Sequence, residues 1–197
     1  LEAVGGMDKI KSTNSILLKY DAEVMGMAIS SEEKRIDGKL AQNISMNGNP
    51  MQAVVTTQEA VYSKQGASKN PLPENMSNDM KPMAGLFLEL NLLNSDKVLL
   101  GGIEAVNGKD AYRVEVPGEV ISLTLFYDVE TGLKVKEIQN VTMNGNTQSQ
   151  PADLLEYKEF EGLKFPTIRE GVMQGQQITF KLTEVKINEG VTEADFD

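Results

Sequence analysis

Near the end of the chain, from Ile178 to Thr183, apolar and polar side chains alternate strictly: Ile178, Phe180 and Leu182 on one side, Thr179, Lys181 and Thr183 on the other. A period of two places these two sets on opposite faces of an extended strand, and a helix built from the same residues would scatter the apolar ones around its circumference. The surrounding run, YKEFEGLKFPTIREGVMQGQQITFKLTEVKINEGVTEADF from Tyr157 to Phe196, is cut into three strand-like segments by Glu161-Gly162 and Gln174-Gly175. Segments of this length joined by such tight punctuation predict an antiparallel ribbon. Beyond Glu184 the apolar phase slips to Val185 and Ile187. A slip of one residue predicts a β-bulge.

The same alternation recurs upstream. Ile16, Leu18, Tyr20, Ala22 and Val24 alternate with Lys19, Asp21 and Glu23, predicting a strand with one wet face. Further strands are expected over Leu40–Met46, Met51–Thr57, Val98–Glu104, Ala111–Val116, Ile121–Asp128 and Leu133–Met143. Their connections are short. Asn47-Gly48, Asn107-Gly108 and Asn144-Gly145 are pairs suited to turns that need positive φ, Thr131-Gly132 closes its own hairpin similarly, and the result is a meander of sequential strands. The string MNGN occurs twice and has a relative in MQGQ, but ISMNGNPMQ and VTMNGNTQS share little else. Repeated hairpin chemistry accounts for this, with an old duplication as the alternative.

Three segments depart from the sheet pattern. Leu1–Lys11 carries Leu1, Val4, Met7 and Ile10 at helical spacing, weakened by Gly5-Gly6. Gly66–Pro82 is polar and Pro-bearing, hence a loop, with Glu74–Met80 as a single helical turn. Met83–Leu93 places Met83, Leu86, Phe87, Leu90 and Leu93 at steps of three and four, and Leu88 and Leu92 widen that face. A helix apolar nearly all round must be covered on several sides. Held in the hollow of a curved sheet, it would bound an apolar cleft with Leu123, Leu125, Phe180 and Leu182 opposite. These nine residues are the candidate ligand-binding set. Met25, Met27, Met46, Met51, Met76, Met80 and Met83 either contribute to an adaptable pocket or simply fill core.

Composition removes most other functions. The chain of 197 residues is expected to form one domain, residues 1–197. Its net charge of -10, without a basic patch, argues against nucleic acid. Cysteine and histidine are both absent, which excludes disulfides, thiolate chemistry, Ser-His-Asp and Cys-His constellations and His- or Cys-ligated zinc. Asp153, Glu156, Glu159 and Glu161 read as a solvated run rather than an acid/base pair. The acidic clusters Asn75–Asp79 and Glu193–Asp197 lack calcium-loop spacing, and Gly101-Gly102 reads as a strand bend rather than a phosphate loop. The expectation is therefore no catalytic residue, no metal and no cofactor. No apolar run reaches the roughly 20 residues of a membrane-spanning helix. Leu1 opens the chain inside a helical pattern with no visible signal peptide, as expected for a processed or excised segment.

Four strings carry a resemblance: LEAVGGMDKIKSTNSI (Leu1–Ile16), YDVETGLKVKEI (Tyr127–Ile138), YKEFEGLKFPTIRE (Tyr157–Glu170) and VKINEGVTEADF (Val185–Phe196). They resemble bacterial periplasmic domains of the LolA/LolB-like lipoprotein-localisation superfamily, especially forms common in Bacteroidetes. The resemblance implies a mainly β fold with short helices, in which a strongly curved antiparallel sheet, an incomplete barrel, holds helices on its concave face. It further implies a periplasmic or outer-membrane-associated, non-catalytic carrier whose partner is a lipid or lipoprotein acyl chain. Similar domains follow insulinase-like zinc peptidases, so an accessory or protein-interaction domain with a filled cleft and an upstream peptidase partner is the alternative. This segment lacks the histidines of the peptidase itself.

Overall fold

The computed structural model describes residues 1–93, 95–173 and 175–197, with Met173 described by its backbone. Thirteen strands form one sheet: β1 Ser15–Val24, β2 Met27–Ile36, β3 Lys39–Met46, β4 Asn49–Thr57, β5 Val61–Gln65, β6 Ser68–Pro71, β7 Leu99–Val106, β8 Lys109–Val116, β9 Ile121–Asp128, β10 Lys134–Met143, β11 Asn146–Phe160, β12 Leu163–Met173 and β13 Gln176–Ile187. Their order is β6-β5-β4-β3-β2-β1-β13-β12-β11-β10-β9-β8-β7. Two meanders thus run outward from the antiparallel β1–β13 pair, where Ile16 faces Ile187 and Asp21 faces Lys181. The predicted bulge lies in this seam: Lys19 pairs with Glu184 but Tyr20 pairs with Leu182, leaving Thr183 as the extra residue.

The sheet is strongly curved. A helix, α2 (Glu74–Met80), contacts both β5 and β9, which stand second and eleventh in the strand order. Nine inter-strand steps of ~4.8 Å would separate these strands by roughly 43 Å if the sheet were flat, whereas seven helical residues extend only about 10 Å. Both ends must therefore curl toward the helix. The sheet does not close, because β6 and β7 do not pair with each other.

Asn-Gly turns build the hairpins as expected. Asn47, Asn107 and Asn144 take φ of 50°, 50° and 52°, each followed by a glycine at positive φ, the combination that matches the twist of a two-residue hairpin. Thr131-Gly132 works differently. Only Gly132 is at positive φ there, and the buried Asp128 carboxylate accepts hydrogen bonds from the backbone N–H of Glu130 and Thr131 and from the Thr131 hydroxyl. At Gln174-Gly175, Met173 pairs with Gln176, but Gln174 lies outside the described residues. The expected bend at Gly101-Gly102 is a register shift in β7.

Three expectations change. The helix predicted over Leu1–Lys11 is broken into a 3-10 turn, Glu2–Val4, and α1 (Gly6–Lys11). Gly5 at the break has φ 137°, and a Cβ there would collide with the Gly162 carbonyl oxygen. The loop expected over Gly66–Pro82 contains β6, a short edge strand ending at Pro71, where a proline is tolerated. Glu74–Met80 is a helix of two turns. The helix expected over Met83–Leu93 is confined to α3 (Leu88–Leu92), preceded by a 3-10 turn, Lys81–Met83. Between them Ala84 and Phe87 are extended. Side-chain amide Nδ2 of Asn91 donates to the carbonyls of Pro82 and Ala84, so backbone that a continuous helix would satisfy internally is satisfied from the side.

The main core lies on the concave face, where Ile10, Ile16, Leu18, Tyr20, Leu86, Leu163, Phe165 and Ile187 pack together. A smaller cluster covers the other face of β3 and β4, where Phe196 packs on Ala41 and Val55. The closing 3-10 turn, Glu193–Phe196, is held by a capping box between Thr192 and Asp195 and by the Lys34–Asp195 ion pair at 2.5 Å.

Candidate functional site: a roofed cleft on the concave face

The segment from Met80 to Glu89 crosses the hollow of the sheet as a roof. Leu86, buried, joins the main core, and Phe87 stacks on Phe165 with ring centroids 6.2 Å apart and planes at 9°. The chain is extended at Ala84 and Phe87, and Leu86 and Phe87 both pack into the main core. Beneath and beside this roof lies a cavity of about 530 Å³. That is within the roughly 300–1,000 Å³ range of small-molecule sites. Its apolar wall includes Leu1, Val4, Leu18, Leu40, Ile44, Val54, Leu123 and Phe180, and its roof Met80, Met83, Leu86 and Phe87.

Of the nine candidate residues, Met83, Leu86, Phe87, Leu123 and Phe180 line this cavity. Leu90 and Leu182 pack against the main core, and Leu125 is fully buried. Leu93, just past the end of α3, is 61% exposed. Among the methionines singled out, Met80 and Met83 belong to the wall, while Met25 and Met51 are largely exposed at hairpin ends. The carboxylates of Glu156, Glu159 and Glu161 lie at exposed positions, and Asp153 is half-buried beside Lys136 at 3.5 Å.

The remaining wall is polar, which sequence reasoning missed. Glu33, only 4% exposed, accepts hydrogen bonds from Arg35 Nε and Nη2 on one oxygen and from Arg169 Nη1, at 2.7 Å, on the other. Burial alone would push its carboxyl up, but the two guanidiniums, Arg169 before Arg35, outweigh burial and hold it well below the usual carboxylate range. Arg35 also donates through Nη1 to the Gly85 carbonyl, tying β2 to the roof. A second cluster ties down the other end. Glu89 accepts a hydrogen bond from the Tyr127 hydroxyl at 2.9 Å and faces Lys134 Nζ at 3.4 Å, while Lys134 also meets Glu137 at 3.2 Å. Burial disfavours the Glu89 charge, but Lys134 and these hydrogen bonds prevail and lower its pKa to about 2. Burial likewise opposes the charge of Lys134, yet Glu89 and Glu137 raise it well above the usual range. Tyr157 donates to the Lys134 carbonyl at 2.8 Å. Glu156, at φ 51°, marks the point where the inward phase of β11 passes from Leu154 to Tyr157.

One signal was available. Phe165 and Arg169 share the inward phase of β12, and a charge in that phase marks a side chain aimed at the hollow. Among the described residues no group of three or more acidic side chains converges as a metal site would. No described helix is long and apolar enough to cross a membrane.

This arrangement of an open, curled antiparallel sheet with short helices across its hollow is the LolA-like fold. The chain is similar to the crystal structure of a LolA superfamily protein from Nitrosomonas europaea, with TM-score 0.63 and 11% identity over 100% of this chain and 95% of that one. It is also similar to a DUF1329 family protein from Desulfovibrio piger, with TM-score 0.57 and 14% identity over 96% of this chain and 92% of that one. No family model and no curated protein matches the sequence.

Proposed function

We propose that the protein is a non-catalytic carrier or binding domain for the acyl chains of a lipid or lipoprotein, acting in the periplasm or at the outer membrane. The observation that supports this most is the cavity of about 530 Å³ under a roof of Met80, Met83, Leu86 and Phe87. Each methylene taken from water into such a wall gains about 0.8 kcal/mol, so ten contribute about 8 kcal/mol before the costs of ordering. The LolA-like fold is consistent with this reading. The roof is tied to the wall by Leu86 in the main core, by Phe87 on Phe165, by the hydrogen bond from Arg35 to the Gly85 carbonyl and by the Glu89–Lys134 ion pair.

The test is titration with a fluorescent fatty acid. Wild type should bind it saturably, and Phe87→Asp, which sets a charge in the roof, should abolish uptake while the β-sheet circular dichroism is retained. Absence of saturable binding by wild type would overturn the carrier reading. It would favour instead the accessory-domain reading, in which a filled cleft serves as scaffold behind an insulinase-like peptidase.

A further inference from the structure

Three buried side-chain atoms among the described residues lack a hydrogen-bond partner: Thr56 Oγ1, Asp153 Oδ1 and Arg169 Nε. Of these residues only Arg169 belongs to the cavity wall. It stands on β12 in register between Leu154 and Phe180, which also line the cavity, so its neighbours along the sheet are apolar. Its guanidinium carbon lies 4.1 Å from the centroid of the Tyr20 ring, a cation–π contact.

The other cations of this wall are differently placed. Arg35 uses Nε and Nη2 on Glu33 and Nη1 on the Gly85 carbonyl. Lys134 is held between Glu89 and Glu137. Lys164 is a half-buried residue of the same lining. Arg169 gives Nη1 to Glu33, and its Nε finds no acceptor. Nε and Nη2 form the edge of a guanidinium that grips a carboxylate or phosphate through two parallel hydrogen bonds. One carboxylate, Glu33, is shared by two guanidiniums, so this cluster carries one positive charge in excess. The acids of the wall are engaged as well: Glu137 with Lys134, and Glu170 with Gln177 and Thr179.

We propose that Arg169 anchors the oxyanion of an amphiphile, a carboxylate or phosphate head, whose acyl chain runs under the roof. The inference rests on the acyl-binding reading and narrows its ligand to anionic amphiphiles. A net charge of -10 repels anions at long range, so a preference for them would have to arise from the local site.

The experiment measures displacement of a fluorescent acyl probe from wild type by four ligands of equal chain length: palmitate, palmitoyl lysophosphatidic acid, monopalmitoyl glycerol and palmitoyl lysophosphatidylcholine, each below its micellar concentration. One or both of the first two should bind about tenfold or more tighter than monopalmitoyl glycerol, and which of them leads tells carboxylate from phosphate. Lysophosphatidylcholine, whose phosphate is masked by a cation, should fall with the glyceride. Arg169→Lys keeps the charge but loses the two-pronged edge, and should cut the preference for the anionic ligands over monopalmitoyl glycerol to under about threefold. Equal affinities across the wild-type series would overturn the inference and leave the carrier reading standing, as would a preference that survives in Arg169→Lys. Binding of none of the four would sink both.

Discussion

A carboxylate at position 89 ties α3 to the β9–β10 hairpin, with the Tyr127 hydroxyl and the Lys134 ammonium as its partners. Its pKa is lowered from 4.5 to about 2 on folding. A group depressed in this way stabilises the fold fully above its unfolded pKa, and the contribution is lost as pH falls through the folded value. Glu33 shifts in the same direction under its two arginines. Stability should therefore decline between about pH 5 and pH 2. In Glu89→Gln, which cannot ionise, that decline should be shallower, while the melting temperature at pH 7 should drop by an amount equivalent to about 1–3 kcal/mol. Thermal melts of both proteins from pH 7 to pH 2 check this, and parallel curves would contradict it. Lys134 has the opposite sign: its contribution is fully present below its unfolded pKa of 10.5 for as long as Glu89 and Glu137 stay ionised, and is lost as pH rises through its raised folded value.

Turns and helix ends decide how the elements meet, and two glycines separate two causes. Gly145, at φ 77° in the β10–β11 hairpin, has open space where a Cβ would sit. Gly145→Ala should cost about 1 kcal/mol, from backbone strain alone. Gly5, at φ 137°, is pressed against the Gly162 carbonyl of the β11–β12 turn. Gly5→Ala must push that turn away, so it should cost about 2–4 kcal/mol. Urea unfolding of the two variants measures the difference; equal losses would mean that the contact beneath Gly5 yields freely. At this scale the sequence was informative where one face of a strand is dry. Ile16–Val24 and Gln176–Ile187 announced themselves by alternation, and the Thr183 bulge by its slip of phase. Strand β2 did not, because its inward positions Ser31, Glu33 and Arg35 are polar and face the cavity, so no apolar phase remained to be read. Strands β5 and β6 were hidden by shortness and by their place at the sheet edge.

For the whole molecule, the hollow follows from topology. Two meanders share the β1–β13 seam, the sheet curls until α2 touches both of its wings, and the roof segment falls across the gap. The candidate residues Met83, Leu86, Phe87, Leu123 and Phe180 were legible from hydrophobic spacing. The charged half of the wall was not, because Glu33 meets Arg169 across the sheet and Lys134 meets Glu89 from the roof, at separations that no local pattern encodes. The result is a cleft with an apolar roof and a wall that is part apolar and part ionic. Uptake of an acyl chain by this cleft, as proposed, is tested by native mass spectrometry of the purified protein. The prediction is a one-to-one non-covalent adduct of acyl-lipid mass, lost on solvent delipidation and restored by micromolar palmitate or lysophosphatidic acid. A protein that flies only at its bare mass, before delipidation and after addition of either lipid, would mean that the cleft takes up no acyl chain.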